Sequence, residues 1–245
     1  MSNKPILEVE KLNVGYQTKD GEIHAVQDVS FKVFSNEVFG IAGESGCGKS
    51  TLIKAIMRLL PENGKMDAHS IKYKDQKIDR MSENIFRNEV LWAQISLVPQ
   101  SAMNSLNPVY KVGEQIVEAI QAHTSQGKKE ARERVEELFD VVGLQSEFMD
   151  SFPHEFSGGM RQRAMIAMAL ALDPGLIIMD EPTTGLDVLV QEKILRRIRE
   201  IRKQIRSSII LITHDIAVIA EMSDRIAVMY GKQSQALKTL TPQSQ

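Results

Sequence analysis

Apolar and polar residues alternate over "ILEVEKLNV" (residues 6–14) and again over "AVQDVSFKV" (25–33), with "KDGE" as a turn between them. That period of two predicts an antiparallel pair of half-buried strands. "EVFGIAG" then runs apolar into glycine, and "STLIKAIMRLL" takes up helical spacing until Pro61 stops it. Strand text returns at residues 71–73 and 95–98, after which the pattern changes. "VGEQIVEAI" and "KKEARERVEELFDVVGL" are amphipathic at helical period. Beyond "RQRAMIAMALALDP" strands and helices alternate through "LIIMDE", "VQEKILRRIREIRKQI", "SSIILITHD", "IAVIAEM" and "RIAVMY". Apolar strands separated by helices predict a parallel sheet covered on both faces. The expected architecture is therefore α/β: one domain over 1–245, with an N-terminal antiparallel β subdomain, a parallel-sheet core (1–107 and 158–230) and an inserted helical subdomain (108–157). The polar tail 231–245 shows no period and is expected to be irregular.

Composition narrows the partners. Thirty basic against thirty-two acidic residues leave a net charge of −2, so no global field draws the chain to nucleic acid or anionic lipid. The basic stretch "KILRRIREIRKQIR" carries Ile194, Leu195, Ile198, Ile201 and Ile205 at core spacing, which makes its arginines a solvated outer face. Cys47 is the single cysteine, which excludes an internal disulfide. "MSNKPILEVE" has no apolar stretch of signal-peptide length, and no later run reaches transmembrane length. The expectation is a cytoplasmic protein whose membrane contact, if it has one, goes through a partner.

Chemistry enters at "GESGCGKS", residues 43–50, which matches the P-loop pattern between a strand and a helix. Gly43, Gly46 and Gly48 let the backbone turn its N–H groups toward phosphates at the positive end of the next helix, with Glu44, Ser45 and Cys47 completing the loop. Lys49 is the bridge between β- and γ-phosphate, Ser50 the Mg²⁺ ligand, and Thr51 an α-phosphate contact. Cys47 admits two readings: a thiolate favoured by the helix end, readily alkylated and protected by MgATP, or a small residue that fits the loop. "LIIMDE" puts Asp180 at a strand end to hold Mg²⁺ through water, and Glu181 next to it as the base for the attacking water. His214, ending "SSIILITHD", is placed to donate to the γ-phosphate, and Gln100, ending "ISLVPQ", to sense metal or γ-phosphate.

Gly43 to Ser50, Gln100, "FSGGM", "LIIMDEPTTGLD" and His214 follow the order and approximate spacing of the ABC-type ATPase cassette, which the chain resembles over nearly its whole length. The resemblance implies that Ser157, Gly158, Gly159 and Met160 cap the ATP of a second subunit arranged head to tail. It also implies that Asp187 touches that subunit near its site and that Tyr16 stacks on adenine. As an alternative, Ser157 is simply a helix N-cap. "GESGCGKST", "PQSAMNSLNPVYKVGEQI" and "PHEFSGGMRQRAMIAMALALDP" resemble the ATPase subunits of bacterial oligopeptide and dipeptide importers, a group that includes nickel importers. In that group two ATPases, copies or paralogues, sit under two membrane permease subunits fed by an extracytoplasmic substrate-binding protein. The segment with "SLNP" is expected at the permease contact, which would put the chain on the cytoplasmic face of the membrane.

Departures are informative too. Met160 stands where many signatures have Gln and is frequent in the peptide group, Phe156 replaces a common Leu, and Gly185 replaces Ala or Ser, which is expected to loosen its loop. Past "VMY" those ATPases continue with a further strand and a long region that sometimes holds an iron–sulfur centre. Here "GKQSQALKTLTPQSQ" follows with no further cysteine, so no such centre is expected, and the chain reads as a fragment, a frameshifted product or a trimmed variant. Rival classes are ATPases of chromosome maintenance or repair, translation factors and regulatory cassettes. The first carry a long heptad coiled coil absent here, the second carry two cassettes, and Lys49, Asp180, Glu181 and His214 argue against the third, which would bind ATP without hydrolysing it.

Overall fold

β1 (Pro5–Thr18) and β2 (Gly21–Phe34) form the expected antiparallel pair in the computed structural model, which describes residues 4–100, 105–230 and, as backbone alone, 236–240. The alternation is reset near the middle of each strand. Leu7 and Val9, then Leu12 and Val14, are all buried, because the register shifts between Val9 and Leu12, where Lys11 takes a left-handed φ of 50°. Asp28 (φ 48°) does the same between Val26 and Val29 on β2, and its N–H is held by Asn13 Oδ1 at 2.9 Å. Such bulges keep one face apolar where a strict period of two would turn it to water.

The chain forms two compact units, residues 1–87 with 208–245, and 88–207. In the first unit, β3 (Val38–Gly43) is apolar and buried nearly throughout and leads into α1 (Lys49–Ile56). β4 (Gly64–Asp67) and β5 (Ser70–Tyr73) pair antiparallel with β1, β6 (Gln76–Lys77) pairs with β5, and α2 (Glu83–Ile85) is a single turn capped by Ser82. Burial of Tyr73 in this sheet pushes its phenol up to about 12.

The second unit holds β7 (Ile95–Val98), α3 (Val112–His123), α4 (Lys128–Val142), α5 (Gly158–Leu170), β8 (Leu176–Asp180) and α6 (Val188–Gln204). β7 and β8 pair in parallel, Val98 opposite Met179. Ile116, Val117 and Ile120 of α3, Val135, Leu138 and Phe139 of α4, and Ile194, Leu195, Ile198 and Ile201 of α6 are the buried stripes that the spacing predicted. Ile205 is half-buried at the end of α6. The unit boundaries fall at 87/88 and 207/208, whereas the change in composition marks 108–157, so β7, β8, α5 and α6 lie with the helices.

The chain then returns to the first unit through β9 (Ser208–Ile212), α7 (Ile216–Met222) and β10 (Arg225–Tyr230). β3 pairs in parallel with both β9 and β10. The tail departs from the expectation of irregularity, since β11 (Ala236–Leu240) pairs antiparallel with β10. A sheet edge offers unpaired N–H and C=O groups to any passing chain, so no amphipathic period is needed for such a strand. The rest of the tail lies outside the described residues.

Candidate nucleotide site

The P-loop is built by close approach at one end and left-handed backbone at the other. A Cβ on Gly43 would lie 2.4 Å from the Met229 carbonyl oxygen and 2.7 Å from Cys47 Sγ, so only glycine lets the loop leave β3 tight against β10. Gly48, with φ at 99°, is the N-cap of α1 and has no side chain to satisfy the first turn. The N–H groups there are therefore left for an external acceptor, and the helix end favours an anion. Glu44, Ser45 and Gly46 form the exposed rim, and Ser50 and Thr51 are half-buried. Lys49 is 5% exposed and folds back, its Nζ donating to the Gly43 carbonyl at 2.7 Å and the Glu44 carbonyl at 2.8 Å. Cys47 is buried against this loop, 3.8 Å from Lys49 Nζ. That burial favours the packing reading of Cys47 over the readily alkylated thiolate.

β3 and β9 run parallel with Ile41 opposite Ile212, and the Thr213 N–H donates to the Ile41 carbonyl at 3.4 Å. His214, exposed just beyond β9, thus lies at the same sheet edge as the P-loop, where parallel sheets bind ligands. Asp215 caps α7 from the next position, accepting the N–H groups of Ala217 and Val218. Tyr16 donates to Thr51 Oγ1 at 3.3 Å, which ties the end of β1 to the first turn of α1.

In the second unit, the parallel ends of β7 and β8 bring Gln100 and Glu181 together. Gln100 Nε2 donates to Glu181 Oε2 at 2.9 Å, and Thr184 Oγ1 donates to the same oxygen at 2.8 Å. Glu181 takes a left-handed φ of 50°, an arrangement that costs a non-glycine residue about 1–2 kcal/mol and that the two donors help to hold. Asp180, the last residue of β8, is 7% exposed. Thr184 was not singled out in the sequence; its position three residues past the acidic pair is the only signal, and it is a weak one. Gly185 adopts φ 81°, so glycine here relieves strain rather than loosening the loop. Among the described residues no group of three His, Cys, Asp or Glu side chains is placed to hold a metal, so a magnesium ion would depend on nucleotide oxygens beside Ser50 or Asp180.

Ser157 caps α5, its Oγ accepting from the Met160 N–H at 3.3 Å, and Asp187 caps α6, its Oδ1 accepting from the Val190 N–H at 3.0 Å. Ser157 is exposed, Gly158 and Met160 are half-buried, and Gly159 is buried. A Cβ on Gly159 would meet Val190 Cγ1 at 2.6 Å, so this glycine allows α5 and α6 to touch. Phe156 is 3% exposed and packs edge-on against Phe148, which anchors the cap from below. Residues 101–104 of the expected permease contact lie outside the described residues, while Val109 and Tyr110 beyond them are exposed. No helix among the described residues is long and apolar enough to cross a membrane.

Known proteins resemble this chain in sequence and fold. Residues 26–184 match the family model described as ABC transporter, and a shorter match to an AAA domain covers 152–220. The dipeptide transport ATP-binding protein DppD of Bacillus subtilis is 44% identical over 234 residues, which is 94% of this chain and 70% of that protein. The oligopeptide transport ATP-binding protein OppD of the same organism is 44% identical over 231 residues, 93% of this chain and 64% of that one. DppD of Escherichia coli is 42% identical over 230 residues, 93% of this chain and 70% of its own length. Among solved structures, cbiO1 from Clostridium perfringens, part of an ABC transporter complex, superposes with a TM-score of 0.80 at 28% identity over 97% of this chain and 89% of that one. A dimeric bacterial ABC transporter cassette gives a TM-score of 0.82 at 25% identity over 97% and 99%. With the P-loop, the acidic strand end and the Ser-Gly-Gly cap all in place, the chain belongs to the ATP-binding family of ABC transporters and is an ATPase domain of that kind.

Proposed function

We propose that the chain is the ATP-hydrolysing subunit that powers import of di- or oligopeptides through a membrane permease. The observation that carries the substrate class is the 44% identity to a dipeptide transport ATP-binding protein over 94% of this chain. The uncapped first turn of α1 and Lys49 bind the phosphates, Lys49 exchanging its carbonyl partners for phosphate oxygens. Ser50, Asp180 and Gln100 are the residues that would hold a magnesium ion, which would supply neutralisation of charge on the transferred group. Glu181, oriented by Gln100 and Thr184, takes the proton of the water whose oxygen bonds to the γ-phosphorus as the bond to the β-phosphate oxygen breaks. His214 donates to the γ-phosphate, and Tyr16 packs on adenine.

Ser157, Gly158 and Met160 complete the nucleotide site of a second ATPase subunit, a copy or a paralogue, with Asp187 at the contact. Gly159 serves that loop by setting the depth of α5 against α6. Two permease subunits place the pair at the cytoplasmic face of the membrane, and a substrate-binding protein delivers the peptide from the other side. The test is the chain assembled with its paralogue, permease and substrate-binding protein in vesicles, assayed for ATP turnover against a dipeptide panel and nickel. Dipeptides should stimulate turnover, and Glu181→Gln should lower it by about a hundredfold or more. Stimulation by nickel alone would move the assignment to the metal importers, and unchanged turnover in Glu181→Gln would remove Glu181 as the base.

A further inference from the structure

The arginines of α6 do not all face water. A cavity of about 430 Å³ in the second unit is lined by Gly143, Ser157, Arg163, Val190, Lys193 and Arg197, among others. Gly143 ends α4 with φ at 71°, and a Cβ placed on it would lie 3.5 Å from both Arg163 Nη1 and Arg197 Nε. Two guanidinium groups therefore converge on one point that carries no side chain. Both also cap α4: Arg163 Nη1 donates to the Gly143 carbonyl, and Arg197 Nη2 to the Asp140 carbonyl. Capping does not use all their donors, because Arg197 Nε is shielded from water and has no acceptor among the described residues.

The charge of this wall is unbalanced. Glu200, 2.7 Å from Arg197 Nη1, is the only carboxylate paired with any of the three cations among the described residues. Lys193 makes no hydrogen bond or ion pair there. Gathering like charges in a half-buried wall costs energy unless an anion enters, and burial together with Arg197 holds the Arg163 guanidinium below its ordinary value. Ser157 and Gly159, at the positive end of α5, lie on the same wall. We propose that this cavity binds a phosphate-class oxyanion through Lys193 and the guanidinium groups of Arg163 and Arg197, as a second anion site separate from the P-loop. Arginine and lysine together suit a multivalent oxyanion better than chloride, since several donors reach several oxygens at once.

Either free phosphate or the phosphate group of a nucleotide supplies that chemistry, and the experiment separates them. Inorganic phosphate is titrated calorimetrically into the full chain carrying Lys49→Ala, which disables the P-loop, with chloride at equal ionic strength as the control. Saturable binding is expected, about tenfold weaker when Lys193→Gln or Arg197→Gln is added. The exposed position of Lys193 keeps that variant folded, and an unchanged unfolding midpoint checks it. Displacement of the phosphate by ATP identifies a nucleotide as the occupant, and retention identifies free phosphate; both support the site. No saturable binding in the Lys49→Ala chain, or an affinity untouched by Lys193→Gln in a folded protein, overturns it.

Discussion

The two glycine-bearing stretches, residues 43–48 before α1 and 157–159 at the start of α5, look like duplicates in sequence but solve opposite problems. At α1 the cap position is a left-handed glycine with no side chain, and the first turn is left open. At α5 the cap is a serine that already accepts the Met160 N–H, and the second glycine is spent on contact with Val190. One loop is shaped to receive phosphate by itself. The other has a serine cap that holds the Met160 N–H, and under the proposed function it meets a nucleotide held by a second subunit.

The contrast breaks most visibly at Lys49. Lys49→Ala should lower ATP turnover at least about a hundredfold and remove binding to the isolated chain, read by nucleotide titration. Next is Gly159→Ala, which forces a Cβ into Val190 and should destabilise the chain by about 1–3 kcal/mol in denaturant unfolding, with partial recovery on adding Val190→Ala. Gly46→Ala sharpens the comparison, because that site has open space but φ at 79°. It should cost only about 1–2 kcal/mol, with no partner substitution able to rescue it. The smallest change is Ser157→Ala, which loses a cap worth about 1 kcal/mol of stability.

What the sequence made legible follows from distance along the chain. The P-loop, the acidic pair and His214 are legible as candidates because each pattern is written in adjacent residues at a strand end. The packing role of Gly159 depends on Val190, and the capping of α4 depends on Arg163 and Arg197, partners too remote for any local pattern to couple. Lys11 hides its bulge because lysine does not mark a left-handed turn, and Asp28, a type enriched there, sits inside an alternating strand pattern with no other turn signal. Gly185 read as added freedom, since composition gives no φ and the structure supplies a positive one. β11 depends on the free edge of β10 rather than on its own period.

The claim that the two loops serve different nucleotides is tested most directly by equilibrium ATP binding to the isolated chain. Ser157→Ala should leave Kd within about twofold of the native value while Lys49→Ala weakens it by at least about tenfold. A loss in Ser157→Ala equal to that in Lys49→Ala would contradict the account, because the capped loop would then be serving its own chain's ATP.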